Sequence, residues 1–551
     1  MINALLPPLR HAVVLLAALA MTGCAHAERP GPAAATPLAE VDTGTLQGTR
    51  NGTVAVFKGI PYAAPPVDEL RWRPPRPALP WTGTRAASEF GPACVQPEVP
   101  AASIYNDPPA RTSEDCLTLN VWAPERADDA PVVVWIHGGS LRIGGSGLPM
   151  YDGSEYARRG IVFVSLNYRL GALGWLAHPE LSAEADSGVS GNYGLLDQIA
   201  ALRWVERNVA AFGGDPDNVT AMGESAGALS LTYLLTSPEA RGLFDKAIVQ
   251  SPNSRSFPAL SEARFGQPSA ETIGATMLDA LGVEGIAAAR DVDAQTLTDI
   301  TTRRRFVVQG TVDGKVLPRQ IVEVFDRGEQ ARIPVLIGFN SGEVRSQRIF
   351  LPPAPDSEQA YAERIARGYG DLAGDFLRQY PATDMEQSML ATLRDGIYGW
   401  AAERIARRQA EAGVPSYLYV FDHCYPAAEA RDLCAFHASE LPFVFGNLGA
   451  ESLPARWPVP DGSDDAALSR AMIDYWTSFI RDGQPRSEGN DAWRPYGKDE
   501  AYMRFAARPE AGRDPYSGMF ELHEAYVARR REQGLQWGLL VGLAAPDEAG
   551  D

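Results

Sequence analysis

Beyond its first 27 residues, the 551-residue chain has no apolar run approaching the ~18–20 residues of a membrane-spanning helix; Trp537 to Ala545 is apolar but too short. It has no C-x-x-C and no clustered Cys/His spacing among its 5 cysteines and 7 histidines, which argues against a structural zinc site. Internal repeats and low-complexity tracts are missing too, so the chain is neither a solenoid nor a disordered tether. Positive charge is in deficit. With 50 Lys+Arg against 69 Asp+Glu the formal net charge is −19, which disfavours nucleic acid or an anionic membrane surface as partner. What remains is ordinary for a globular protein: 45% apolar and 22% charged residues. No linker divides the chain, and residues 41–535 read as one large domain.

The N-terminus reads as an address rather than structure. Arg10 supplies a positive region and Ala12 to Ala20 an apolar one, the layout of an export signal over residues 1–27. Two ends compete for it. Met21-Thr22-Gly23-Cys24 resembles a bacterial lipobox, the preferred reading, which leaves Cys24 lipidated on a periplasmic or outer-membrane lipoprotein. Ala25-His26-Ala27 fits the A-x-A rule and would release a secreted protein. Residues 28–40 then read as a flexible tether and 536–551 as a C-terminal tail. The other cysteines allow three pairings, of which Cys94–Cys116 and Cys424–Cys434 are the natural choice in an oxidising compartment.

Short apolar runs bounded by turn residues predict buried parallel strands at Val132–Ile136, Ile161–Leu166, Val219–Met222, Lys246–Gln250, Ile333–Phe339 and Ser416–Phe421. Leu195, Leu196, Ile199, Leu202 and Val205 recur at helical spacing, as do Met472, Ile473, Trp476, Phe479 and Ile480. Strands alternating with helices give an α/β protein with a mostly parallel twisted sheet. Residues 255–330 and 345–410 carry no strong strand signal and read as helical excursions over the active site.

The chemistry is carried by Gly223-Glu224-Ser225-Ala226-Gly227, placed between a strand run and a helix-forming stretch. That context is what a G-x-S-x-G elbow requires, with Ser225 at the tip as nucleophile. A serine hydroxyl is a weak nucleophile and needs a base, a group to orient the base, and donors for the oxyanion. His137-Gly138-Gly139-Ser140 follows the first predicted strand and supplies such donors, assigned to the amides of Gly139 and Ser140, with Ala226 as third. For the base, with the order serine, acid, histidine, the candidates are His423, His437 and His523. His437 lies in a loop after the last central strand and is assigned. His423 falls too close to that strand's end, and His523 in a surface helix. Glu343 follows the strand Ile333–Phe339 and is assigned as the acid, ahead of Asp326 and Asp395.

These residues and several longer motifs resemble the type B carboxylesterase/lipase family, including para-nitrobenzyl esterases, with the α/β-hydrolase fold. The matching stretches are Phe57 to Ala63, Glu114 to Val121, Gly191 to Gln198 and Asn208 to Gly227, within a likeness running from about residue 40 to 510. The resemblance implies a Ser225–Glu343–His437 triad, an oxyanion hole from Gly139, Ser140 and Ala226, a Cys94–Cys116 disulfide, and small-molecule esters as substrates. It implies neither metal nor cofactor. Where the family carries an aromatic residue after the oxyanion glycines, this chain has Leu141-Arg142, read as substrate-contacting residues. The acid sits in Gly342-Glu343-Val344 rather than Asp-Glu-Gly, and the family's Gln-Ser-Gly is Gln250-Ser251-Pro252. The loop that Cys94–Cys116 would close has no tryptophan, which argues against quaternary ammonium substrates.

The reading is therefore an exported serine carboxylesterase. Arg142, Arg255 and Arg345 raise the alternative of an enzyme for anionic, polycarboxylate or aromatic-acid esters. A non-catalytic, neuroligin-like binding protein is disfavoured because the nucleophile is present.

Overall fold

Runs of Val, Ile, Leu and aromatic residues build the centre of the molecule. The computed structural model describes residues 36–547. Its main sheet has 11 strands. In chain order they are β1 (Thr49–Asn51), β2 (Val54–Pro61), β3 (Thr118–Pro124), β4 (Ala130–Ile136), β5 (Val162–Leu166), β6 (Gly214–Glu224), β7 (Lys246–Gln250), β8 (Val335–Asn340), β9 (Ser416–Phe421), β10 (Ala501–Phe505) and β11 (Pro509–Arg513). Their order across the sheet is β11-β10-β9-β8-β7-β6-β4-β5-β3-β2-β1. From β5 to β10 every pairing is parallel. Both ends of the sheet are antiparallel.

The parallel strands are buried on both faces, as their unbroken apolar runs demand. Along β4 the side chains alternate: Val132, Val134 and Ile136 join one core, Val133 and Trp135 the other. Helices α1 (Tyr193–Asn208), α2 (Ala226–Thr236), α3 (Ala294–Arg303) and α4 (Trp400–Glu411) put Leu202, Leu234, Leu297 and Ile405 into the first core. Helix α5 (Ser463–Asp482) lays Met472, Trp476 and Phe479 into the second. Each such side chain contributes roughly 1.5–3 kcal/mol by leaving water.

The chain steps from β4 to β5 on one side and then to β6 on the other side of β4. Such a reversal leaves a crevice at the carboxyl ends of the strands, where open α/β sheets bind ligands. The parallel register pairs Ile136 with Gly223, Glu224 with Gln250, and Gln250 with Gly338, so the loops after β4, β6, β7 and β8 leave the sheet at nearly one level. Over this edge the chain makes two helical excursions: one between β7 and β8 that includes α3, and one between β8 and β9 that ends in α4.

Polar residues in the recognised motifs pin this scaffold. Arg169 donates through Nε and Nη2 to Asp197 of α1 at 2.8 and 2.7 Å, and its amide donates to the same carboxylate at 3.0 Å. The Asn192 side chain bonds both ways with the Thr311 backbone, each at 2.8 Å, tying α1 to the first excursion. Arg71 grips Glu114 from one loop to another at 2.7 and 2.5 Å.

Several expectations need correction. The six central strands stand, but β1, β2, β3, β10 and β11 were not read as strands. Leu38–Val41 is a strand, so regular structure begins inside the segment read as a tether. Trp537 and Val541, read as tail, are buried. His523 lies on helix α6 (Met519–Glu532), but it is buried rather than on the surface. Two disulfides, Cys94–Cys116 and Cys424–Cys434, are formed. Among the described residues no helix is long and apolar enough to cross a membrane. Cys24 lies outside the described residues.

Candidate active site

Ser225 sits between β6 and α2 at φ 55°, ψ −115°, a backbone conformation that non-glycine residues rarely hold. The turn is tight enough that a Cβ on Gly227 would stand 2.0 Å from the Ile136 carbonyl oxygen, so only glycine fits there. The Ser225 amide donates to the Gln250 carbonyl at 2.9 Å and fastens the elbow to β7. This arrangement leaves the hydroxyl at the mouth of the crevice, ahead of the N-terminus of α2.

The hydroxyl meets His437. Ser225 Oγ is 2.8 Å from Nε2, and His437 Nδ1 is 2.5 Å from Glu343 Oε2. With Nδ1–H donated to the carboxylate, the neutral ring presents a lone pair at Nε2 to the serine proton. Glu343 is itself held: its Oε1 accepts from Ser251 Oγ at 2.6 Å and from the Asn340 amide at 2.9 Å. Asn340 also donates to the Phe436 carbonyl at 2.8 Å and to Glu440 at 2.6 Å, while Gln250 donates to Glu440 at 2.9 Å. Four loops are thereby tied around one imidazole, and the Tyr398 ring covers it at 5.1 Å between centroids. Of the rival bases, His423 is bonded to Asp465 at 2.5 Å and His523 to Tyr380 at 2.9 Å, each remote in contact from Ser225. Asp326 pairs with Arg404 and Arg408, and Asp395 with Arg394 and Tyr380.

The loop after β4 approaches from the opposite side. Gly139 has φ +99°, and a Cβ there would lie 2.1 Å from the Ile143 carbonyl oxygen. Ser140 and Leu141 follow at φ 57° and 59°, a strained pair held at a functional loop. The amides of Gly139 and Ser140 find no backbone acceptor among the described residues, and Ala226 opens α2, where an amide has no intrahelical acceptor. A cavity of about 910 Å³ opens here, with Gly139, Ser140, Ser225 and His437 in its wall. It takes Ile143 from this loop rather than Leu141 or Arg142; Leu141 is buried in the core.

The electrostatics are unusual. Glu224, next to Ser225, is buried with Oε1 3.2 Å from His437 Nε2, and that oxygen has no hydrogen bond. Burial raises the Glu224 carboxyl strongly, His437 opposes this, and Glu440 and Glu343 add to the rise. Burial alone would lower the imidazolium, but the charges of Glu224 and Glu343, the hydrogen bond His437 donates to Glu343 and the charge of Glu440 outweigh it and raise His437 to about 9. One imidazole among three carboxyl groups therefore holds a proton tightly. Glu224, Ser251, Asn340 and Glu440 were given no role from the sequence, although Glu224 stands inside the pentapeptide and Glu440 three residues after His437. Among the described residues no group of His, Cys, Asp and Glu is arranged to hold a metal ion.

Known proteins share this architecture. The sequence model described as the carboxylesterase family matches residues 35–521. The fumonisin B1 esterase of Sphingopyxis macrogoltabida is 38% identical, covering 85% of this chain and 86% of its own. The para-nitrobenzyl esterase of Bacillus subtilis is 36% identical over 83% of this chain and 92% of its own. Among solved structures, a carboxylesterase of Geobacillus stearothermophilus superposes with a TM-score of 0.75 at 35% identity, covering 89% of this chain and 99% of its own.

Proposed function

This chain belongs to the carboxylesterase family and is a carboxylic ester hydrolase acting on small-molecule esters, and we propose that it works through an acyl-enzyme formed on Ser225. In this reading Ser225 Oγ attacks the ester carbonyl carbon while its proton passes to His437 Nε2. The oxyanion is accepted by the amides of Gly139, Ser140 and Ala226, each such donor being worth about 2.7–4 kcal/mol in the transition state. The carbonyl–alkoxide bond breaks and Nε2 returns the proton to the leaving alkoxide. Water, deprotonated by the same nitrogen, then attacks the acyl carbon; the acyl–Oγ bond breaks, Nε2 returns the proton to Ser225 Oγ, and the acid leaves. Glu343 fixes the ring and stabilises its protonated form. The observation that carries the reading is the unbroken run of hydrogen bonds from Ser225 Oγ through both ring nitrogens to Glu343.

The cavity favours neutral over anionic esters. Glu98, Asp107 and Asp299 line it against Arg303. Arg345 is engaged by Asp432, and Arg255 is enclosed against the Phe257 ring, so the anionic-ester alternative lacks its cations. Export, with Cys24 as the lipid anchor, is also part of the proposal; the two disulfides support it, since such bonds persist in oxidising compartments.

The test is a serine-reactive phosphonate mapped by mass, beside an ester panel varying acyl and alcohol parts. Labelling at Ser225 with loss of all esterase activity is expected, and Ser225→Ala should be folded, unlabelled and inactive. Retained turnover in Ser225→Ala would remove the reading.

A further inference from the structure

The disulfide-closed loop between Cys94 and Cys116 does more than wall the cavity. Its base is fixed by the disulfide, with Cα atoms 5.0 Å apart, and by pairing of Ala93 and Cys94 with Thr112 and Ser113. Near the base, Gln96 bonds to Gly144 in both directions, its Nε2 donating to the carbonyl at 2.8 Å and its Oε1 accepting from the amide at 2.9 Å. Gly144 ends the turn that carries Gly139 and Ser140. At the tip, the Tyr105 hydroxyl donates to the His437 carbonyl at 2.9 Å and accepts from Ser346 Oγ at 2.7 Å. Ser346 lies one helical turn after Glu343. The Tyr105 ring stands edge-on to Trp457 at 5.9 Å, and Trp457 packs on Phe436 at 4.7 Å, the residue before His437. One short loop thus touches the oxyanion loop, the base's loop and the acid's loop.

We propose that Tyr105 is a positioning residue for ester hydrolysis, its hydroxyl locking the His437 loop to the Glu343 loop, with the disulfide setting where that hydroxyl stands. The inference rests on the Ser225–His437–Glu343 reading above. A hydrogen bond to the backbone carbonyl of His437 limits rotation and drift of the loop carrying the imidazole, and small displacements of a base cost rate rather than affinity. Burial raises the Tyr105 phenol well above its ordinary value, so it remains a proton donor throughout the working pH range. No other tyrosine hydroxyl donates to the His437 carbonyl among the described residues.

The experiment uses the full-length protein and p-nitrophenyl acetate as probe. Tyr105→Phe keeps the ring against Trp457 and removes only the hydroxyl. It should lower kcat by about three- to tenfold, the scale of one hydrogen bond, with KM and Tm unchanged and phosphonate labelling still at Ser225. Combining it with Cys94→Ser/Cys116→Ser should give no loss beyond that of the more damaging parent, because both act through one contact. Unchanged kcat in Tyr105→Phe overturns the proposal, as does a kcat loss accompanied by an equal loss of thermal stability. Multiplying losses in the combined variant also overturn it. If the disulfide-free variant does not fold, Tyr105→Phe decides alone by the same criteria. Labelling that moves away from Ser225 in the unmodified protein would instead sink the parent reading.

Discussion

Arg169 and Asp197 form one buried ionic cluster; His437 with Glu224, Glu343 and Glu440 forms another. In the first, one cation meets one anion through two hydrogen bonds, and the Arg169 backbone amide adds a third to the same carboxylate. In the second, three carboxyl groups crowd a single imidazole; each cluster leaves one buried polar atom without a hydrogen bond, Arg169 Nη1 in the first and Glu224 Oε1 in the second. Balanced charge fixes a scaffold, since both desolvation costs are offset by the partner. Unbalanced carboxyl groups raise the proton affinity of the one imidazole they surround, which suits the base proposed for the Ser225 proton.

Perturbing the two clusters should therefore give opposite phenotypes. His437→Ala should cost about 10⁴-fold or more in kcat while the protein unfolds in denaturant as before. Glu343→Gln should cost less, and the two together no more than His437→Ala alone, because triad members act as a unit. Asp197→Ala should do the reverse. It strands a buried guanidinium, lowering unfolding free energy by ~3–5 kcal/mol while kcat at low temperature changes little. A large kcat loss in Asp197→Ala without loss of stability would erase the distinction. At the small end, Arg142→Ala should leave turnover of neutral p-nitrophenyl esters unchanged and create no shift in preference for anionic ones, because this side chain does not line the cavity.

What the sequence revealed and what it hid follow the same division. The central strands were legible because parallel strands are buried on both faces and read as unbroken apolar runs. The antiparallel strand β3 was not, since Asn120 interrupts it; that amide is satisfied by Ser146 and Ser165 only in three dimensions. The buried face of α6 could have been found. Met519, Leu522, His523, Tyr526 and Val527 recur at helical spacing, the pattern of an amphipathic helix with one buried face. At the site, Ser225, His437 and Glu343 were recoverable from motif and chain order. Their supports were not: Ser251, Asn340, Glu440 and Tyr105 arrive from four separate segments of the chain, and no local pattern marks a polar residue that will be buried against a distant partner.

The most direct measurement is the pH dependence of kcat/KM in the unmodified protein and in Glu224→Gln. His437 must be neutral to accept the serine proton, so activity should rise with pH through its raised value. The acid limb should lie above the ordinary imidazole value of 6.5, toward about 9. Removing the Glu224 charge should move that limb to lower pH. Superimposed limbs in the two proteins, or a limb at the ordinary imidazole value in the unmodified one, would contradict a base governed by its surrounding carboxylates.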